Sequence, residues 1–250
     1  MISLVLTTMM SLALGVACGL LIPGIERKVH ARIQQRVGPP ITTPGFWNVM
    51  KFLFKKRITP NSPNPALYHL VLTAALACVL AVLAISTPAW WGILGFASVL
   101  GVAGLLKVEE SVYVFMGSLA DSVMSVRMPA NDMTRYASFK DAVRTPFERV
   151  SAVRSLKMIT LGSFPFYIAL FIPFVKAGGV GFADVGRLSW PVIGSLSGLL
   201  GAATYFIGYN IMTNNRPFDI IKPKVDIIEG GLMEYAAAWR GMYYVLSGVL

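Results

Sequence analysis

The segment from Met1 to Ile25 carries no charge, and the stretch that follows it, Glu26 to Pro40, carries Arg27, Lys28, Arg32 and Arg36. Within the uncharged segment, Ile2 to Ile22 is long enough as a helix to cross a hydrocarbon core of roughly 30 Å. A bilayer admits only helices and closed barrels, because backbone polar groups in hydrocarbon must be satisfied within the structure. The change at Glu26 therefore marks where a helix leaves the lipid, and Arg and Lys gathered there mark the cytoplasmic side.

The rest of the chain agrees with a membrane setting. It is 55% apolar and 14% charged with a mean hydropathy of +0.64, whereas a soluble domain carries roughly a quarter charged residues. The net charge of +10 lies in segments between apolar runs, the pattern of cytoplasmic loops and not of a nucleic-acid-binding face. Cys18 and Cys78 sit inside apolar runs without a CxxC and read as small packing residues. The first run lacks a basic start, so it reads as a span and not as a cleaved signal.

Taken in order, Ile2 to Ile22 is a first span, with Gly15 and Gly19 in a GxxxG spacing that permits close helix approach. Residues 23–65 then hold eight cations against the single acid Glu26, which makes this a cytoplasmic loop and puts the amino terminus outside. Inside that loop, Gly45 to Arg57 mixes aromatic and aliphatic residues with a basic end, as in a helix lying at the interface. Ala66 to Thr87 is a second span. Gly92 to Val126 is apolar but broken by Lys107, Glu109, Glu110 and Asp121, and reads either as two short spans or as one span with an outer or re-entrant piece. Residues 127–157 carry seven cations against three acids and read as cytoplasmic, so parity allows one crossing between Pro88 and Arg127.

Met158 to Val175 crosses outward, Lys176 to Arg187 is a short outer loop, and Pro191 to Met212 returns with Gly194 and Gly198 as a second small-residue pair. Residues 213–234 are polar and cytoplasmic, and Tyr235 to Leu250 begins a last outward crossing. The expected fold is all-α: a single polytopic transmembrane bundle over residues 1–250, with six or seven spans and no internal repeat, in the cytoplasmic membrane.

No P-loop, dinucleotide fingerprint or nucleophile elbow is present. His30 and His69 lack metal-ligand spacing and read as loop or interface histidines. Asp121 is the membrane-buried candidate, since an ionisable group in hydrocarbon costs roughly 2.5 kcal/mol or more unless paired or wet. Its alternative is a solvated position beside Arg127. Glu109 and Glu110 are expected at the interface.

The run Glu26-Arg27-Lys28, Ala31-Arg32, Gln34, Arg36 and Gly38-Pro39 resembles the signature of one membrane subunit of respiratory complex I, the mitochondrial subunit 1 and its bacterial counterpart. The family extends to energy-converting membrane-bound hydrogenases. Asn215 to Asp219, then Asp226, Gly230 and Glu234-Tyr235, is similar to that family's second cytoplasmic motif in order and spacing. Arg154 is placed like the arginine before its fourth helix. The resemblance implies a non-catalytic subunit that anchors a hydrophilic electron-transfer arm and lies beside antiporter-like subunits. It implies no cofactor in this chain, with iron-sulfur clusters in the partner subunits. Docking and coupling residues would be Arg27, Lys28, Arg32, Gln34, Arg36, Arg154, Asp219, Asp226, Glu229 and Glu234.

Departures narrow this. Ser163 stands where the family's fourth helix usually has a buried glutamate, Lys222 and Lys224 replace two acids of the second motif, and Ala236-Ala237 replaces Ser-Gly. Lysine in place of acid reverses the local field, which weighs against a complex I quinone site. A ferredoxin-linked relative is the favoured expectation, of the membrane-bound hydrogenase or sulfane sulfur reductase type. The alternatives are the quinone-site subunit of complex I itself and a stand-alone ion transporter, although the inverted repeats common in transporters are not evident.

Overall fold

The structure, a computed structural model, describes residues 2–56, 64–91, 98–119, 146–188, 191–213, 218, 230–232 and 235–250. Among the described residues it is helical, with one isolated antiparallel bridge between Ser98 and Gly181.

Helix α1 (Ile2–Ile33) has 32 residues, about 48 Å at 1.5 Å per residue. It outruns the hydrocarbon core and carries Arg27, Lys28 and Arg32 on its last turns. The stretch expected to leave the helix at Pro23 therefore remains helical to Ile33. Pro23 forfeits one backbone bond, but Glu26, Arg27, Lys28, Ala31 and Arg32 are good helix formers and the helix carries on.

Positive φ angles at Gln35 and Gly38 then turn the chain back. A π-helical turn (Thr43–Trp47) and α2 (Asn48–Phe54) follow, and the turn packs against α1. The approach depends on glycine: a Cβ on Gly24 would overlap the backbone of Ile41, and one on Gly45 that of Leu20. Phe54, Leu53 and Trp47 stay exposed, as an interfacial helix requires.

Helix α3 (Pro65–Ile85) starts on an Asn64 cap, whose side chain accepts from Leu67 N–H, and ends near a 3₁₀ turn (Pro88–Trp90). Trp90 Nε1 donates to Thr8 Oγ1 at 2.7 Å, and the Ser11 and Thr87 hydroxyls are 2.9 Å apart. The start of α1 and the end of α3 thus share one end of the bundle. Helix α4 (Val99–Leu119) begins on a bond from Val99 N–H to Val180 O.

Helix α5 (Pro146–Lys157), a π-helical turn (Met158–Gly162) and α6 (Phe164–Ala177) form one rod. Short α7 (Phe182–Gly186), a 3₁₀ turn (Val192–Gly194) and α8 (Leu196–Met212) follow. A 3₁₀ turn (Gly230–Leu232) precedes α9 (Ala237–Val249).

Among the described residues, three helices are long and apolar enough to cross a membrane: Ile2–Ile33, Pro65–Ile85 and Val150–Ala177. Helix α4 lies where charge parity predicts one crossing and runs unbroken through Lys107, Glu109 and Glu110, but it is not among those three. It packs between α3 and α5. One core cluster joins α3, α4 and α9 through Leu72, Met116 and Leu246; a second joins α3, α4, α6 and α8 through Ile85, Leu106, Phe166 and Met212.

The small-residue pairs act differently from expectation. Gly15 faces the Leu83 side chain of α3, while Gly19 meets the backbone of Gly248 on α9, so one GxxxG serves two neighbours. Gly194 lies in a turn and Gly198 packs on the Val192 carbonyl of that same turn. The glycines of α8 that admit α6 are Gly201, beside Ile172, and Gly208, against the backbone of Phe166.

Candidate functional site

Of the docking residues read from the sequence, Arg27, Lys28 and Arg32 lie on the last turns of α1 and Gln34 and Arg36 just beyond. All are exposed except half-buried Lys28. Arg36 N–H bonds Ala31 O at 2.8 Å, which folds the end of this stretch back over the helix. In the same turns His30 pairs with Glu26 at 3.5 Å. Among the described residues, no carboxylate stands within 4 Å of the four cations. They form an outward-facing positive collar. Half-buried Arg154 lies on α5 and is engaged with a partner. Asp121, Asp219, Asp226, Glu229 and Glu234 lie outside the described residues.

The described part of the second motif is clamped to α3. Tyr68 Oη donates to Gly231 O at 2.9 Å, Tyr235 Oη donates to Tyr68 O at 2.7 Å, and the two rings stack at 4.1 Å. A Cβ on Gly231 would run into the backbone of Gly117, so only glycine lets this turn seat against the end of α4. His69 stacks on Trp239 at 3.9 Å, and Arg240 Nη1 donates to Leu232 O at 3.0 Å. Glu229 and Glu234 flank this clamped turn in sequence.

The site that sequence reasoning missed is on α4. Glu109 and Glu110, expected at the interface, are 1% and 5% exposed. Lys107 Nζ commits all three protons there: to Glu110 Oε2 at 2.7 Å, Ser163 Oγ at 2.7 Å and Ile159 O at 2.8 Å. The π-helical turn supplies the last acceptor. Ser163 N–H bonds Met158 O, leaving Ile159 O, its ordinary α-helical acceptor, to the ammonium and to the Ser163 hydroxyl 3.1 Å away. Ser163, 2% exposed, accepts from Lys107 and stands 3.1 Å from Glu110 Oε2. Ser163 on the rod of α5 and α6 therefore contacts a glutamate brought in from α4.

Around this pair, Lys107 lies 4.5 Å above the Tyr167 ring. The Tyr113 phenol sits beside Glu109 on one side and Tyr243 on the other. Tyr243 in turn lies under Arg240, 5.8 Å from guanidinium carbon to ring centre. Polar side chains thus succeed one another from the Leu232 turn to the middle of α4. Glu110 borders a cavity of about 10 Å³ lined by Tyr113, Met158 and Met212, the least space that holds one water. Buried acids are tolerated only with such partners. The available signal was the spacing Lys107 to Glu110, one turn on a helix face.

Known proteins share this architecture. The family described as NADH dehydrogenase matches residues 5–249. An uncharacterized protein of Methanocaldococcus jannaschii is 44% identical over 95% of this chain and 73% of its own length. NADH-ubiquinone oxidoreductase chain 1 of Patiria pectinifera is 28% identical over 88% of this chain and 62% of its own. A chain in the structure of the membrane-bound sulfane sulfur reductase, an archaeal respiratory membrane complex, superposes with a TM-score of 0.76 at 21% identity, over 99% of this chain and 74% of that one. The chain thus spans between 62% and 74% of the length of these proteins. With its helical membrane bundle and both motif regions in the matched span, the chain belongs to the NADH dehydrogenase family, as a membrane subunit of the complex I type.

Proposed function

We propose that this chain is the membrane-anchor and coupling subunit of a ferredoxin-linked respiratory complex of the membrane-bound hydrogenase or sulfane sulfur reductase type. Its collar of Arg27, Lys28, Arg32 and Arg36, with Gln34, docks a hydrophilic arm of iron-sulfur and hydrogenase-like subunits. Asp219, Asp226, Glu229 and Glu234 complete that contact from the second motif. The amino terminus lies outside and the collar in the cytoplasm, in accord with the excess of Arg and Lys at that end.

The observation that carries the coupling role is the buried Lys107, Glu109 and Glu110 cluster and its line of phenols toward the clamped Leu232 turn. A charge change at the docked arm acts on that line through the turn and Arg240, and antiporter-like neighbours respond in the membrane. Ionisable groups at membrane depth are retained where charge or protons move. Lys222 and Lys224, in place of acids, favour this reading over a quinone site.

Two variants in the intact complex test it. Arg32→Glu with Arg36→Glu removes arm subunits from the membrane fraction, the more so at low salt, where charge contacts are least screened. Glu110→Gln leaves the arm bound and electron transfer running, while ion uptake by sealed vesicles falls at least tenfold. Full arm retention in the first and undiminished uptake in the second would together sink the proposal.

A further inference from the structure

Away from the collar, α6 and α8 enclose an apolar groove of about 270 Å³. Its α8 wall is Gly198, Gly201, Ala202 and Tyr205, a helical stripe of mostly small residues that runs about 10 Å along the axis. Its α6 wall includes Ala169 and Pro173. Pro173 has no N–H for the Ala169 carbonyl and its ring crowds that turn, while Gly201 leaves room for the neighbouring Ile172 side chain.

The groove is not sealed into the core. Leu196, Leu199, Phe206 and Ile207 on α8 are all more than half exposed, so the surface around it is apolar, as a lipid-facing wall is. A cation lies next to one end of it, through Ser195, which bonds the lining residues Val192 and Gly198. Lys176, the basic residue in the last turn of α6, reaches across to Ser195 Oγ, and Ser195 caps the 17-residue α8 by accepting from Gly198 N–H. Among the described residues, no carboxylate lies within 4 Å of Lys176. An ammonium and the positive end of a helix thus meet beside one end of this groove.

We infer that this groove holds one tail of a membrane lipid whose anionic headgroup is paired with Lys176. The tail fills space that would otherwise leave wall atoms without contacts, and the headgroup takes the charge complement that the described part of the chain does not provide.

The intact complex, purified in mild detergent and reconstituted in nanodiscs of equal phosphatidylglycerol and phosphatidylcholine, gives the test. After re-extraction, native mass spectrometry counts lipids retained per complex. The expected result is one retained phosphatidylglycerol per copy of this chain. Lys176→Gln keeps a lipid but loses the headgroup preference at least fivefold, and Ala202→Phe, which fills the groove, loses the lipid. Equal retention of both headgroups by the natural chain would overturn the inference. So would unchanged phosphatidylglycerol in both variants, or a neighbouring subunit's side chains seated in the groove.

Discussion

Lys107 Nζ and Glu110 Oε2 stand 2.7 Å apart, one turn from each other on α4, and the same ammonium holds the Ile159 carbonyl 52 residues further along the chain. Side-chain exposure is 39% for Lys107 and 6% for Glu110, so the acid is the buried partner and the lysine reaches it from the rim.

Removing one member of this pair strands the other. Breaking a fully buried pair costs about 3–5 kcal/mol, and the exposed lysine reduces that to about 1–3 kcal/mol by solvent screening. Lys107→Met therefore lowers the melting temperature in detergent, and adding Glu110→Gln restores part of the loss. Additive losses in the double variant would show that the two groups do not act as a pair.

Ser163 is the hinge of the same site. Ser163→Ala removes a hydroxyl that both receives Lys107 and faces Glu110, and is expected to cost about 1–2 kcal/mol. Thermal unfolding measures this, and a neutral effect would mean that a water takes over both bonds.

Tyr68→Phe deletes the donor to Gly231 O while keeping the ring stacked on Tyr235. The buried carbonyl then loses its partner, at about 1–3 kcal/mol. Limited proteolysis should cut the chain near residues 214–234 faster than in the natural protein. Equal cleavage rates would mean that stacking alone holds the turn.

Two glycines should answer in opposite directions. Gly19→Val drives a side chain into the backbone of Gly248 and is expected to lower recovery of folded protein sharply. Gly104→Ala, on an open face of α4 with nothing within 4 Å, should be neutral or stabilising by up to about 1 kcal/mol. Size-exclusion recovery and melting temperature read both, and comparable damage from the two changes would refute the packing assigned to Gly19.

Hydropathy and charge sufficed for the helical membrane fold and for the long apolar helices α1 and α3. These properties are local to each helix: an apolar run of about twenty residues must span, and a cationic run cannot enter hydrocarbon. The collar from Arg27 to Arg36 was legible for the same reason, as was its likeness to a known motif. Local signals misled where helices meet. Gly194 and Gly198 share the right spacing but serve a turn, and Pro23, a breaker by composition, lies within a continuous helix.

What only the tertiary structure decided is the buried site. Glu109 and Glu110 look interfacial when α4 is read alone, because an isolated acid avoids hydrocarbon. They are tolerated since Lys107, Ser163 and Tyr113 converge on them, with the Ile159 carbonyl, released from its α-helical N–H by a π-helical turn, anchoring the lysine. Sequence therefore determined which segments enter the lipid and where the basic collar begins. Three-dimensional packing determined which charges could follow them inside, because the cost of burying a charge is set by its neighbours in space.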